Sequence, residues 1–170
     1  MRACLEELKN IIATEIEVQE GTLAKLEDQQ RFIIDHALDE LDENLRELDH
    51  MLLDYRELET ARHEVRLRLA ADLGLEPSAT LGEIIERARS INEEGVLCAD
   101  LEHLRERLMD IAARVRSRTK QNMVLLRQSI ELNHELLSKV FGNQVDRMST
   151  YGQAGELVST AGKGVVDAEI

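Results

Sequence analysis

The sequence predicts an all-α fold: an elongated antiparallel bundle or coiled coil of three long helices and one short helix, followed by a flexible carboxy-terminal tail. Three observations carry the prediction. Leu and Ile recur at alternating steps of three and four through most of the chain, the period that keeps one helical stripe facing a neighbour. Breakers are sparse, and the single proline, Pro77, falls just after Gly74, marking one clear turn. Apolar residues make up 43% and charged residues 32%, the balance of amphipathic helices in water. The 170 residues suffice for one domain with its own core, over residues 1–148, with a tail over 149–170.

The first helix is expected from about Ala3 to Arg31, with Leu5, Leu8, Ile12, Leu23 and Leu26 inward. Residues 32–35 suggest a break with Asp35 as N-cap of the next helix, and a continuous helix is the alternative because no Gly or Pro intervenes. The second helix runs to about Leu73, with Leu38, Leu41, Leu45, Leu48, Leu52 and Tyr55 at heptad spacing. Gly74 and Pro77 end it. Thr80-Leu81-Gly82-Glu83 fits a capping box, so a short third helix should span roughly Leu81 to Asn92. The fourth begins near Gly95 and reaches about Phe141 without a breaker, roughly 65 Å at the usual rise, and must pair with the first two along much of its length. Its first stripe is Leu97, Leu101, Leu104, Leu108, Ile111 and Val115. From Tyr151 onward Gly, Ser, Thr and Ala dominate, too little apolar surface to fold alone.

Charge and cysteine content narrow the function. A formal net charge of -13 argues against nucleic acid or anionic membrane as the main partner and suits a partner with a basic surface. Cys4 and Cys98 have no CxxC spacing, so they read as inert thiols of a reducing cytosol. The start lacks a signal-peptide apolar region, and no apolar run reaches membrane-spanning length, so a cytoplasmic protein without membrane insertion is expected.

Two Glu-x-x-His pairs, Glu47/His50 and Glu131/His134, resemble the ligand motif of ferritin-like di-metal bundles. Phase opposes that use, because Leu45 and Leu48 on one helix and Leu132 and Leu136 on the other put both pairs outward. No metal, cofactor or catalytic group is therefore assigned, and Ser129 and His134, five apart on one helix, do not face each other. The basic run Arg114, Arg116, Arg118 and Lys120 spreads around its helix and is expected to pair with the acidic second helix.

Residues 123–141 carry more apolar surface than one seam needs. Leu125, Leu132 and Leu136 continue the earlier stripe, with Ser129 between them. Leu126, Ile130, Leu137 and Val140 form a second row, and Phe141 adds an aromatic. Surplus apolar surface marks a protein-binding face, although a surrounded core helix or a homodimer seam would give the same pattern. Asn122 and Asn133 interrupt the rows, as polar residues that set register or partner do.

These residues resemble the FlgN family of flagellar export chaperones. Asn122-Met123-Val124-Leu125-Leu126-Arg127-Gln128-Ser129-Ile130, followed by Leu136-Leu137 and Gly142, is similar to the family's N-x-x-L-L-x-x-S-L stretch with its later Leu-Leu. Thr150-Tyr151-Gly152-Gln153-Ala154-Gly155 resembles its Thr-Tyr-x-x-x-Gly tail, and Leu58-Glu59-Thr60-Ala61-Arg62 its L-E-x-x-R segment. Thr119 stands where the family often has Asn, and Ile130 where it has Leu. The resemblance implies a non-catalytic cytoplasmic chaperone of type III export. Its partners would be the hook-associated proteins of the hook–filament junction, held by a carboxy-terminal amphipathic helix of the cargo. The cargo face would comprise Asn122, Leu125, Leu126, Ser129, Ile130, Asn133, Leu136, Leu137, Val140 and Phe141, and Tyr151 would dock the chaperone to the export gate. A structural coiled-coil adaptor or homodimer without cargo is the alternative, and a ferritin-like protein the remote one.

Overall fold

The computed structural model describes residues 1–91 and 95–141. The order is α1 (Arg2–Asp35), α2 (Leu38–Asp72), α3 (Leu81–Ile91) and α4 (Gly95–Phe141), three long helices and one short. Contacts divide the chain into two units, Met1–Leu125 and Leu126–Ile170. Residues 142–170, with the expected tail, the boundary at 148 and Tyr151, lie outside the described residues.

In the first unit α1 and α2 form an antiparallel hairpin. Arg68 reaches Glu7, Arg62 reaches Glu15 and Lys25 reaches Glu47, so one helix descends as the other climbs. The helices part at His36, which takes the left-handed conformation (φ 56°), while the Ala37 amide donates to the Phe32 carbonyl at 3.0 Å. Asp35 is therefore the last residue of α1 and does not cap α2, whose N-cap is Ala37 without a side-chain hydrogen bond. At the far end Gly74 supplies φ 66°, which lets the Leu75 amide turn back onto the Ala70 carbonyl at 2.8 Å.

The capping box of α3 forms as its sequence predicts. Glu83 accepts from the Thr80 amide at 2.6 Å, and the Glu83 amide donates to the Thr80 hydroxyl at 3.3 Å. These bonds, the backbone amide first, hold the Glu83 carboxyl below its ordinary pKa. Arg66 braces the α2–α3 connection by donating to the carbonyls of Pro77, at 2.9 Å, and Ala79.

The densest apolar packing lies where α3 joins the hairpin. Leu5, Leu8, Ile12 and Ile16 of α1 belong to one cluster with Val65, Leu69 and Leu73, Ile84, Ile85 and Ala88 of α3, and Cys98 and Leu101 of α4. The inward residues expected for α1 are all buried. Cys98 is buried and Cys4 partly buried.

The phase of α2 differs from the sequence expectation. Leu38, Leu45 and Leu52 are exposed, and Asn44 is buried instead. One rotation serves the whole helix: positions 44, 51, 58 and 65 form one column, and 48, 55, 62 and 69 the other. Val65 and Leu69, almost fully buried, fix that rotation at the α3 end. Choosing Leu45 and Leu52 would instead bring the charged Glu59 and Arg66 inward.

Candidate functional site

Within the first unit, α4 runs parallel to α1. Lys9 pairs with Asp100, Glu20 with Arg107 and Glu27 with Arg118, so both helices rise together. The basic run thus reaches α1 through Arg118, which also donates to Gln30, rather than α2 as expected.

Asn122 ends this contact. Its side chain is buried, and Nδ2 donates to the Leu26 carbonyl at 2.7 Å and to Gln29 Oε1 at 2.8 Å. Both amide protons are committed to α1. Asn44 makes the matching contact from α2, donating to the adjacent Lys25 carbonyl at 3.0 Å. Two asparagines from two helices therefore clasp consecutive carbonyls of α1. Asn122, expected among the cargo contacts, serves here to seat α4. Leu125 is half-buried and borders a shallow cleft lined by Gln30, Ser117, Lys120, Gln121 and Val124.

In the second unit the residues expected to bind cargo share one helical face. At about 100° per residue, the arc from Leu132 through Leu136, Ser129, Val140, Asn133, Leu126 and Leu137 to Ile130 and Phe141 spans roughly half the circumference. Arg127, Glu131, Glu135 and Lys139 fall on the other half. Leu126, Ile130, Leu132, Leu136, Leu137, Val140 and Phe141 are all exposed, Ile130 at 60% and Val140 at 71%. Asn133 is exposed and Ser129 partly buried. A stripe with those spacings is built to lie against another helix, and here its leucines face solvent.

The remaining candidates do not assemble chemistry. Glu47 pairs with Lys25 at 2.5 Å, while His50, Glu131 and His134 are exposed. Among the described residues no group of three or more His, Cys, Asp or Glu is placed to hold a metal ion, and no helix is long and apolar enough to cross a membrane.

Sequence periodicity hides one feature, a buried polar group in the α1–α2 seam. Glu15 has no exposed side-chain surface, and Arg62 Nε donates to it at 2.9 Å. Burial pushes the Glu15 carboxyl above its ordinary pKa despite the opposing hydrogen bond and charge of Arg62. Tyr55 nearby is raised as well, first by burial and then by the Glu15 charge. A Glu on a Glu-rich helix reads as solvated, so nothing in the local pattern signals this one.

Residues 1–159 match the family model described as FlgN protein. The chain belongs to the FlgN family. Membership makes it a flagellar export chaperone and not an enzyme, from a family whose members bind hook-associated proteins. No curated protein and no solved structure matches the chain at a significant level.

Proposed function

We propose that this FlgN family member holds hook-associated cargo on the exposed apolar arc of residues 126–141 and releases it to the flagellar export gate. The observation that carries the reading is the half-circumference of unburied Leu, Ile, Val and Phe on a helix whose upstream stripe is packed. An amphipathic cargo helix, presenting apolar residues at steps of three and four, is the complementary shape. Covering it shields the segment from premature assembly. Leu126, Ile130, Leu137 and Val140 form the central row, flanked by Leu125, Leu132, Leu136 and Phe141. Ser129 and Asn133 supply hydrogen bonds that fix register, and Asn122 positions the helix through α1. Tyr151, with Gly152 and Gly155 beside it, is the docking residue for the gate and leaves the groove to the cargo.

Exposures of 41% for Leu126 and 71% for Val140 leave roughly half of each side chain to be covered, about 1 kcal/mol per residue. Ile130→Asp with Leu137→Asp should abolish binding of a hook-associated protein in calorimetric titration and leave the helical circular dichroism intact. Collapse of the helical signal would show the row to be core. A wild-type dimer that dissociates in the double variant, with no cargo bound by either form, would favour the adaptor reading.

A further inference from the structure

A second apolar surface lies on α2. Leu38, Leu45 and Leu52 are 72%, 47% and 46% exposed and stand seven residues apart, so they form a straight row that drifts only about 20° per heptad. Leu41 and Leu48 are half-buried beside them, on the shoulder towards α1. The row is surplus to the α1–α2 hairpin, which uses the columns through Asn44 and Leu48. Its surroundings are strongly acidic. Residues 38–55 contain seven carboxylates and one guanidinium, Arg46, and that guanidinium is already engaged by Asp42 and Glu43.

We propose that the first half of α2 is a second docking surface, for a lysine- or arginine-rich amphipathic helix of a partner protein, in addition to the face proposed at residues 126–141. Heptad-spaced leucines provide holes for the leucines of a partner helix, and the carboxylates of Asp42 and Asp49, on the flank away from α1, attract cationic residues beside its seam. The charge selects this occupant over the others. Two copies of the chain joined through this row would oppose carboxylate to carboxylate. Residues 142–170 hold four acidic and two basic residues, so the chain's own terminus brings no positive surplus. An anionic membrane is repelled.

The test uses the full chain and two synthetic peptides of about three heptads with leucine at both core positions, one with lysine and one with glutamate flanks. With leucine methyl groups labelled for NMR, the lysine peptide should shift Leu38, Leu45 and Leu52, including in an Ile130→Asp/Leu137→Asp background. Leu45→Ser with Leu52→Ser should weaken that binding about tenfold or more. Both positions are exposed, so the fold should survive. Asp42→Asn with Asp49→Asn, which leaves the leucines in place, should weaken it by a smaller factor and flatten its salt dependence. The proposal is overturned if the glutamate peptide binds equally well, or if shifts are confined to Leu126, Leu132, Leu136 and Leu137. Concentration-dependent shifts at Leu45 without peptide would assign the row to a second copy and overturn it as well. Loss of binding in the Ile130→Asp/Leu137→Asp background alone would place the peptide on the cargo face and refute the second surface.

Discussion

Asn122→Asp exchanges one amide for a carboxylate oxygen of the same size, and the structure makes the consequence calculable. Nδ2 of Asn122 faces two acceptors, the Leu26 carbonyl at 2.7 Å and Gln29 Oε1 at 2.8 Å, inside a site only 3% exposed. The substitution removes two donated hydrogen bonds, about 1 kcal/mol each, and sets an anionic oxygen against a carbonyl oxygen. Oδ1 already lacks a protein partner, so no donor waits to receive the new charge. Adding the cost of a buried unpaired carboxylate, the variant should lose about 3–5 kcal/mol at pH 7. Protonation reverses part of the defect, because the single carboxyl O–H can donate to the Leu26 carbonyl or to Gln29 Oε1 but not to both. The folded-state pKa of the new Asp must therefore lie above its unfolded value near 4. With more protons bound in the folded state, stability falls as pH rises through that interval and recovers as pH drops below it. Urea unfolding of wild type and variant between pH 4 and pH 8 measures this directly. An equal gap at every pH, or no gap, would refute the assignment of Asn122 as a donor to α1. Titration of Asn122→Ala against hook-associated cargo checks the functional side: an affinity loss out of proportion to its lower stability would place Asn122 on the cargo.

The seam around Glu15 and the tail give two further predictions. Burial outweighs Arg62 at Glu15, so Glu15→Gln should leave stability at pH 7 unchanged or raise it by up to about 1 kcal/mol, whereas Arg62→Met should cost about 3 kcal/mol by stranding the carboxylate. Because the folded pKa of Glu15 is raised, its unfavourable contribution appears as pH rises above 4.5, and Glu15→Gln should flatten that part of the pH–stability curve; a steeper curve in the variant contradicts this. Tyr151→Ala should leave cargo affinity nearly unchanged while weakening binding to the soluble domain of the export gate and lowering secretion of the junction proteins. A large loss of cargo affinity would instead put Tyr151 in the groove.

What the sequence made legible follows from the range of the forces involved. The capping box of Thr80 and Glu83 is a contact between residues three apart, and it forms as read. The end of α2 at Gly74 is equally local. The rotation of α2 is not, because Val65 and Leu69 fix it against α1 and α3 while Leu45 and Leu52, nearer the amino end, point elsewhere. A window of two heptads around Leu45 sees four aligned leucines and chooses them. The break between α1 and α2 is legible at residues 32–35, but its exact place at His36 is not, since a non-glycine residue in the left-handed conformation carries no compositional mark. Glu15, Gln19 and Asn44 are buried although binary patterning assigns each to solvent, whereas the buried Asn122 reads in the sequence as an interruption of an apolar row.

Those polar residues explain how one unit can be both stable and receptive. The apolar cluster is concentrated towards the α3 end, through Leu5, Leu8, Val65, Leu69, Ile84 and Leu101. Further along the α1–α2 hairpin Glu15, Gln19 and Asn44 are buried among Leu23, Leu26 and Ile33, and the contact of α1 with α4 includes the buried Asn122. A hydrogen bond contributes less net stability than a buried leucine, but it demands one alignment of donor and acceptor. Asn44 and Asn122 therefore hold α2 and α4 in register on consecutive carbonyls of α1 without consuming the neighbouring leucines. Leu38, Leu45 and Leu52 on α2 are left for other contacts as a result. Folding is secured by the packed end, and polar contacts set the alignment further along. If cargo binds as an apolar helix, as proposed above, this division keeps leucines exposed at defined positions while the unit stays folded.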